Sequence, residues 1–288
     1  MGRLERIVVV LLISAVAAYL FDSFPGGPAS GSLRPPIEPR PPPSSPRAAL
    51  PDPGPVLPPP ATLDPIFGVR VEERRGNSTG TAFAIDPSGL WATARHVVHE
   101  CQRIALRSSR GWVEARLVWH HEQADLAVLR SATGIPALAL STQPLRRGQA
   151  GFAIGYPQGR PGAVEGLLLG RSQMHAEGRF RGRAPTVSWA ERARVPDFEG
   201  SLGGISGGPL LDNDGHVIGV IVAESPRRGR FETLAPELLD SLASAGARTR
   251  RATRNEGAGP ALDSTILPRA ASQLRDTMRV AQAACATR

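Results

Sequence analysis

The chain has 288 residues, ample for one large domain or two small ones with a substantial core. Its formal net charge is +8, and all 34 basic residues are arginine. They are scattered rather than gathered into a patch interleaved with aromatics, apart from a short run at Arg248 to Arg254, and this speaks against nucleic-acid binding. Exclusive arginine usage fits codon composition, and the charge suits weak, unspecific attraction to anionic membrane or cell-wall surfaces. Two cysteines and no histidine or cysteine cluster at ligand spacing leave no metal site in the reading.

In chain order, Arg3 and Arg6 precede Ile7 to Phe21, fifteen residues without a charge, and Asp22 ends the run. This reads as a membrane segment over residues 1–24. It is either an uncleaved anchor, favoured because Tyr19, Leu20 and Phe21 continue the apolar run, or a signal peptide cut near Ala15-Val16-Ala17. Basic residues inside would put the remainder in the periplasm or its equivalent. Residues 25–65 hold 16 prolines in 41 positions, a density that favours extended polyproline segments and reads as a disordered linker.

From residue 66 the pattern changes to short β-branched and apolar runs punctuated by glycine, serine and proline, as in an all-β barrel protein. A first group of six strands is predicted near 67–73, 80–85, 90–94, 103–106, 113–119 and 126–129. A second six is predicted near 151–154, 164–169, 186–189, 208–211, 217–222 and 230–233. The expectation is therefore two six-stranded antiparallel barrels. An amphipathic helix follows at Ala235 to Ala245, with Leu238, Leu239 and Leu242 on one face, and closes a domain of residues 66–246. Residues 247–288 read as loop and tail, with a second helix over Ala270 to Ala284.

Three positions carry chemistry. Gly204-Ile205-Ser206-Gly207-Gly208 crowds glycines around one serine, so the amides of Gly204 and Ser206 can approach a substrate carbonyl and hold an oxyanion. A serine hydroxyl also needs a base. His96 ends the strand-like stretch Leu90 to Ala94, where the scaffold would hold an imidazole firmly. Asp125 opens the apolar run Leu126 to Leu129, and a carboxylate at a buried strand edge needs a partner such as an imidazole N–H. His121, near Asp125, is the histidine most easily mistaken for the base.

The order His96, Asp125, Ser206, set in T-A-R-H-V-V, A-D-L-A-V-L and G-I-S-G-G-P-L-L, resembles the chymotrypsin-fold serine peptidases. Ala153-Ile154-Gly155-Tyr156-Pro157 and the compact spacings make it most like the bacterial HtrA-like branch. The resemblance covers residues 66–246 and implies peptide-bond hydrolysis by a His–Asp–Ser triad, a polypeptide substrate and no cofactor. It also implies that Gly200, Ser201 and Leu202 form one wall of the primary specificity pocket and Val222, Ala223 and Glu224 the other. That pocket would favour a modest apolar side chain, with Glu224 either leaving a basic one open or simply facing water. Two departures stand out. Arg95 puts a permanent cation beside His96, where it could lower the imidazole pKa. Ile205 replaces the aspartate that captures a new N-terminus in animal digestive enzymes, so activation by that ion pair is not available.

Nothing after Gly246 is long enough for the PDZ module that usually follows such a protease. Cys101 and Cys285 suit an oxidising compartment, where they would form a disulfide pinning the tail to the first barrel, or else remain two unlinked thiols. Two rival readings stay in view: a catalytically silent peptide-binding module of the same fold, and a structural envelope protein. Oligomeric state is not legible.

Overall fold

The computed structural model describes residues 53–71, 76–109, 111–132, 136–245, 251–252 and 260–287. The apolar run 7–21 and most of the arginine run 248–254 lie outside them. Among the described residues no helix is long and apolar enough to cross a membrane.

Six strands close a barrel: β2 (Ser78–Asp86), β3 (Leu90–Thr93), β4 (Arg103–Ser108), β5 (Gly111–His120), β6 (Ala127–Ser131) and β15 (Val280–Ala286). β3 reads Leu-Trp-Ala-Thr and is buried at every position, as an interior strand of apolar and β-branched residues should be. The Trp91 indole N–H donates to Ser131 Oγ across 3.0 Å, so even the polar edge of the largest core side chain is satisfied.

The second sheet is built from β8 (Ala150–Gly155), β9 (Gly162–Gly178), β10 (Gly182–Val195), β11 (Pro209–Leu211), β12 (Val217–Ser225) and β13 (Arg230–Leu234). β12 pairs with both β13 and β11, and β11 pairs with β8, so the pairings return on themselves. Three strands are added to this ring, β1 (Ile66–Val71), β7 (Leu140–Ser141) and β14 (Arg251–Ala252), making nine. Trp189 stacks on Phe231 at 6.3 Å in this half's core and donates to Thr233 Oγ1.

Four expectations are corrected. The stretch near 67–73 is not the first barrel's opening strand. Its described part, β1, runs parallel to β9 in the second sheet, from Ile66↔Gln173 to Val71↔Gly178. The vacant place is filled by β15, which lies antiparallel between β2 and β4. The helix predicted over 270–284 is instead a helix at Leu267–Asp276 followed by β15. Val-Ala-Gln-Ala-Ala-Cys-Ala has high helix propensity, but a slot with a strand to pair on each side overrides it. The stretch Pro236–Ala245 is a 3₁₀ helix, with Leu239 and Leu242 buried as its pattern predicts. Finally, the end of the proline-rich stretch is packed: Leu57 is buried, its N–H donates to Leu145 O at 2.8 Å, and Arg171 Nε donates to Pro58 O at 2.9 Å.

The disulfide forms. Cys101 and Cys285 are bonded with their Cα atoms 5.4 Å apart, joining the segment after His96 to β15.

Candidate active site

β3 ends at Thr93, Ala94 stays extended, and the chain turns at once into a four-residue helix, α1 (Arg95–Val98), which carries His96. Asp125 lies on the connection between β5 and β6 and is 2% exposed. Its Oδ1 accepts the His96 backbone N–H at 2.8 Å and its Oδ2 stands 2.6 Å from His96 Nδ1. A carboxylate at Oδ2 fixes the proton on Nδ1 and leaves Nε2 with its lone pair. Both backbone and ring are held by the same carboxyl group, so the imidazole has little freedom to turn.

The connection carrying Asp125 is itself clamped. His121 Nδ1 accepts the backbone N–H of Gln123 and of Ala124, at 3.1 and 2.9 Å, which makes it a turn-forming residue rather than a base. Burial pushes its pKa below the usual 6.5, in keeping with a nitrogen that must stay unprotonated to accept. The Arg95 guanidinium reaches the carbonyls of His121 and Glu122 at 3.4 and 3.2 Å and lies 4.7 Å over the Phe180 ring. The cation beside His96 in sequence therefore braces the Asp125 connection.

Ser206 sits in the loop between β10 and β11. Gly204 and Gly207 have φ of +99° and +84° there, and a Cβ would meet Tyr156 O at 2.5 Å in the first and Thr81 O at 2.3 Å in the second, so only glycine fits. The N–H groups of Ile205, Gly207 and Gly208 donate to Leu202, Ile221 and Ile205 carbonyls. Those of Gly204 and Ser206 donate to no acceptor among the described residues. Thr81 of β2 ties this loop to the first barrel: its N–H donates to Ser206 O at 2.9 Å and its hydroxyl to Gly204 O at 2.8 Å. Gln158 adds a second brace, its N–H donating to Gly203 O at 2.5 Å and its side chain to the carbonyls of Glu199 and Ser201.

His96, Gly204 and Ser206 line one cleft of about 670 Å³, together with Val222, Ala223 and Glu224. No hydrogen bond joins Ser206 Oγ to the imidazole among the described residues; apo sites commonly leave this contact long until substrate is bound. The other predicted wall behaves differently. Gly200, Ser201 and Leu202 do not line the cleft: Leu202 is 2% exposed, packed in the core with Ile205, and Gly200 O accepts Arg194 Nη1 at 2.7 Å. Glu224 does not face water alone, since its carboxylate accepts the Ser201 hydroxyl and, at 2.6 Å, the Leu202 N–H.

Thr81, Gln158 and Arg179 are site residues that the sequence reading missed. Arg179, at the turn between β9 and β10, lines the cleft and donates from Nη2 to the His96 carbonyl at 2.7 Å. Nothing local to it marks a contact across 83 residues. Among the described residues one group, Asp212, Asp214 and His216, places metal-ligating atoms within 4.8 Å of one another. There Asp212 Oδ1 accepts the N–H groups of Asp214 and His216, which is what the turn between β11 and β12 requires structurally.

The family model described as "Trypsin-like peptidase domain" matches residues 80–220. Among curated proteins, the "Probable periplasmic serine endoprotease DegP-like" of Pseudomonas fulva is 29% identical over 192 residues, covering 62% of this chain and 37% of that protein. A protein of the same description in Hahella chejuensis is 32% identical over 168 residues, 55% of this chain and 33% of its own length. The chain thus spans about a third of these relatives. Among solved structures, the active form of the Rv3671c protease from M. tuberculosis shares the fold with a TM-score of 0.50 at 24% identity, covering 59% of this chain and 75% of that one. The domain match, these relatives and the shared fold support a chymotrypsin-fold serine peptidase domain over residues 80–220, similar to that of the HtrA-like proteases.

Proposed function

We propose that the chain is a membrane-tethered serine endopeptidase that hydrolyses polypeptides of the cell envelope. The observation that carries this reading is the His96 Nδ1 to Asp125 Oδ2 contact of 2.6 Å beside a cleft that His96 shares with Ser206. Ser206 attacks the substrate carbonyl, and His96 Nε2 takes the hydroxyl proton and later passes it to the leaving amine. Asp125 orients His96 and stabilises the imidazolium. The Gly204 and Ser206 amides receive the oxyanion, which suits their lack of acceptors among the described residues. Val222 and Ala223 offer strand edge to an extended substrate, and no cofactor takes part. Tethering through residues 1–24, with the peptidase facing the periplasm, is supported by the apolar run after Arg6 and by the periplasmic naming of the relatives.

A fluorophosphonate probe tests the chemistry: it should label the folded chain and spare Ser206→Ala. Cleavage should survive removal of residues 1–48, while membrane retention is lost. A second reading is the silent peptide-binding module of the same fold. It predicts peptide binding without labelling.

A further inference from the structure

Among the described residues, four charged or titratable side chains line the cleft: Arg70, His96, Arg179 and Glu224. The carboxylate among them is already engaged, because Glu224 accepts from Ser201 and from the Leu202 N–H at 2.6 Å. The positive groups are less well answered. Arg70 is exposed on β1, where its register partner is Glu177 of β9. Arg179 is more telling. Its side chain is only 7% exposed, its backbone N–H is anchored to Val71 O at 3.0 Å, and its Nη2 is anchored to His96 O. Its buried Nε makes no hydrogen bond among the described residues, and the Glu100 carboxylate, 60% exposed, reaches only to 4.0 Å. A guanidinium anchored at the wall of an open cleft, with the protein's own carboxylate no nearer than 4.0 Å, attracts a carboxylate that enters the cleft.

We propose that Arg179, supported by Arg70, selects polypeptides carrying an aspartate or glutamate close to the bond presented to Ser206. This deepens the peptidase reading above and rests on it. A side-chain carboxylate there would make a charge-assisted hydrogen bond to a rigidly held donor, which an isosteric amide cannot match. The chain's formal charge of +8 would also raise the encounter rate with acidic polypeptides. A hydrogen bond to a charged group corresponds to a preference of about tenfold or more.

The test uses the full chain in detergent with a proteome-derived peptide library. Cleaved sequences should be enriched in aspartate or glutamate at one fixed position near the cut. Arg179→Gln should lower that preference about tenfold, Arg179→Lys should retain part of it, and the exposed Arg70→Gln should weaken it less. Cut sites without acidic enrichment, or enrichment unchanged in both Arg179 variants and Arg70→Gln, overturn the proposal. A library equally uncut by the wild type and by Ser206→Ala would instead sink the peptidase reading. In that event selectivity is read on Ser206→Ala by fluorescence anisotropy of labelled peptides paired as Glu and Gln variants. Tighter binding of the Glu members, lost in Arg179→Gln and Arg70→Gln, supports the carboxylate receptor; equal binding overturns it.

Discussion

The hydroxyl of Thr81, on the first barrel, donates to the carbonyl of Gly204, on the loop of the candidate nucleophile, across 2.8 Å. The same oxygen accepts the Tyr156 N–H at 3.1 Å, and the Thr81 N–H reaches Ser206 O. One fully buried residue thus holds both halves of the proposed oxyanion site in register. Thr81→Val keeps the shape and strips the hydroxyl, leaving a buried carbonyl and N–H without partners. Denaturant titration should show a loss of about 1–3 kcal/mol. Peptide cleavage should fall in kcat more than it rises in KM, because the Gly204 amide would no longer be held at the transition-state position. Thr81→Ser should restore most of both.

Asp125→Asn tests the orienting role separately from folding. The amide retains an oxygen to accept from one of the two His96 donors, but its NH₂ facing the ring favours the tautomer with the proton on Nε2. His96, the proposed base, then has no lone pair for the Ser206 proton. The triad template puts the fall in kcat at roughly 10⁴-fold, with a melting temperature close to wild type. A fall of less than about tenfold would remove Asp125 from the mechanism.

How much of this was legible follows a physical rule about range. His96, Asp125 and Ser206 could be picked out as candidates because each stands beside a local signature: a strand end, a strand start, a glycine-crowded turn. β15 could not, because an alanine-rich heptapeptide has no local reason to extend, and only the gap between β2 and β4 makes it do so. β1 has good strand character, and its sequence says nothing about which sheet will take it. The surroundings of Gly200 to Leu202 are long-range too: Leu202 enters the core beside Ile205, and Glu224 binds the loop from β12. Arg179 belongs with these, since its role exists only where the β9–β10 turn meets His96.

His121 gives the site a pH dependence. Burial lowers its pKa from the ordinary 6.5, with His120 adding to the effect and Glu122 opposing it. The folded protein therefore binds this proton less readily than the unfolded chain. The contribution to stability is fully present above the unfolded value and is lost as pH falls through 6.5 toward the lower folded value. Protonation would turn Nδ1 from acceptor to donor and release Gln123 and Ala124, loosening the connection that carries Asp125. Melting temperature measured from pH 8 down to pH 5 should decline in the wild type. His121→Asn, whose side-chain oxygen can accept from the same amides, should show a shallower decline. Identical slopes would mean that other groups govern acid stability.

The disulfide between Cys101 and Cys285 closes a loop with a sequence separation of 184, so the chain-entropy model assigns it up to about 5 kcal/mol. Its loss should be felt first at β15, the last of the barrel strands in sequence and the one that carries Cys285. β15 pairs with β2 in a register that sets Gln282 opposite Thr81, and Gln282 also donates to Gly159 O at 3.3 Å. Fraying there removes support from the two segments that brace Gly203 and Gly204. Cys101→Ser with Cys285→Ser should therefore lower the melting temperature and raise amide exchange in 280–286 before exchange rises in β3 or β6. Cleavage at a temperature well below melting should fall as well. Unchanged exchange in 280–286 would show that strand pairing alone retains β15 and that the bond acts only on the unfolded chain.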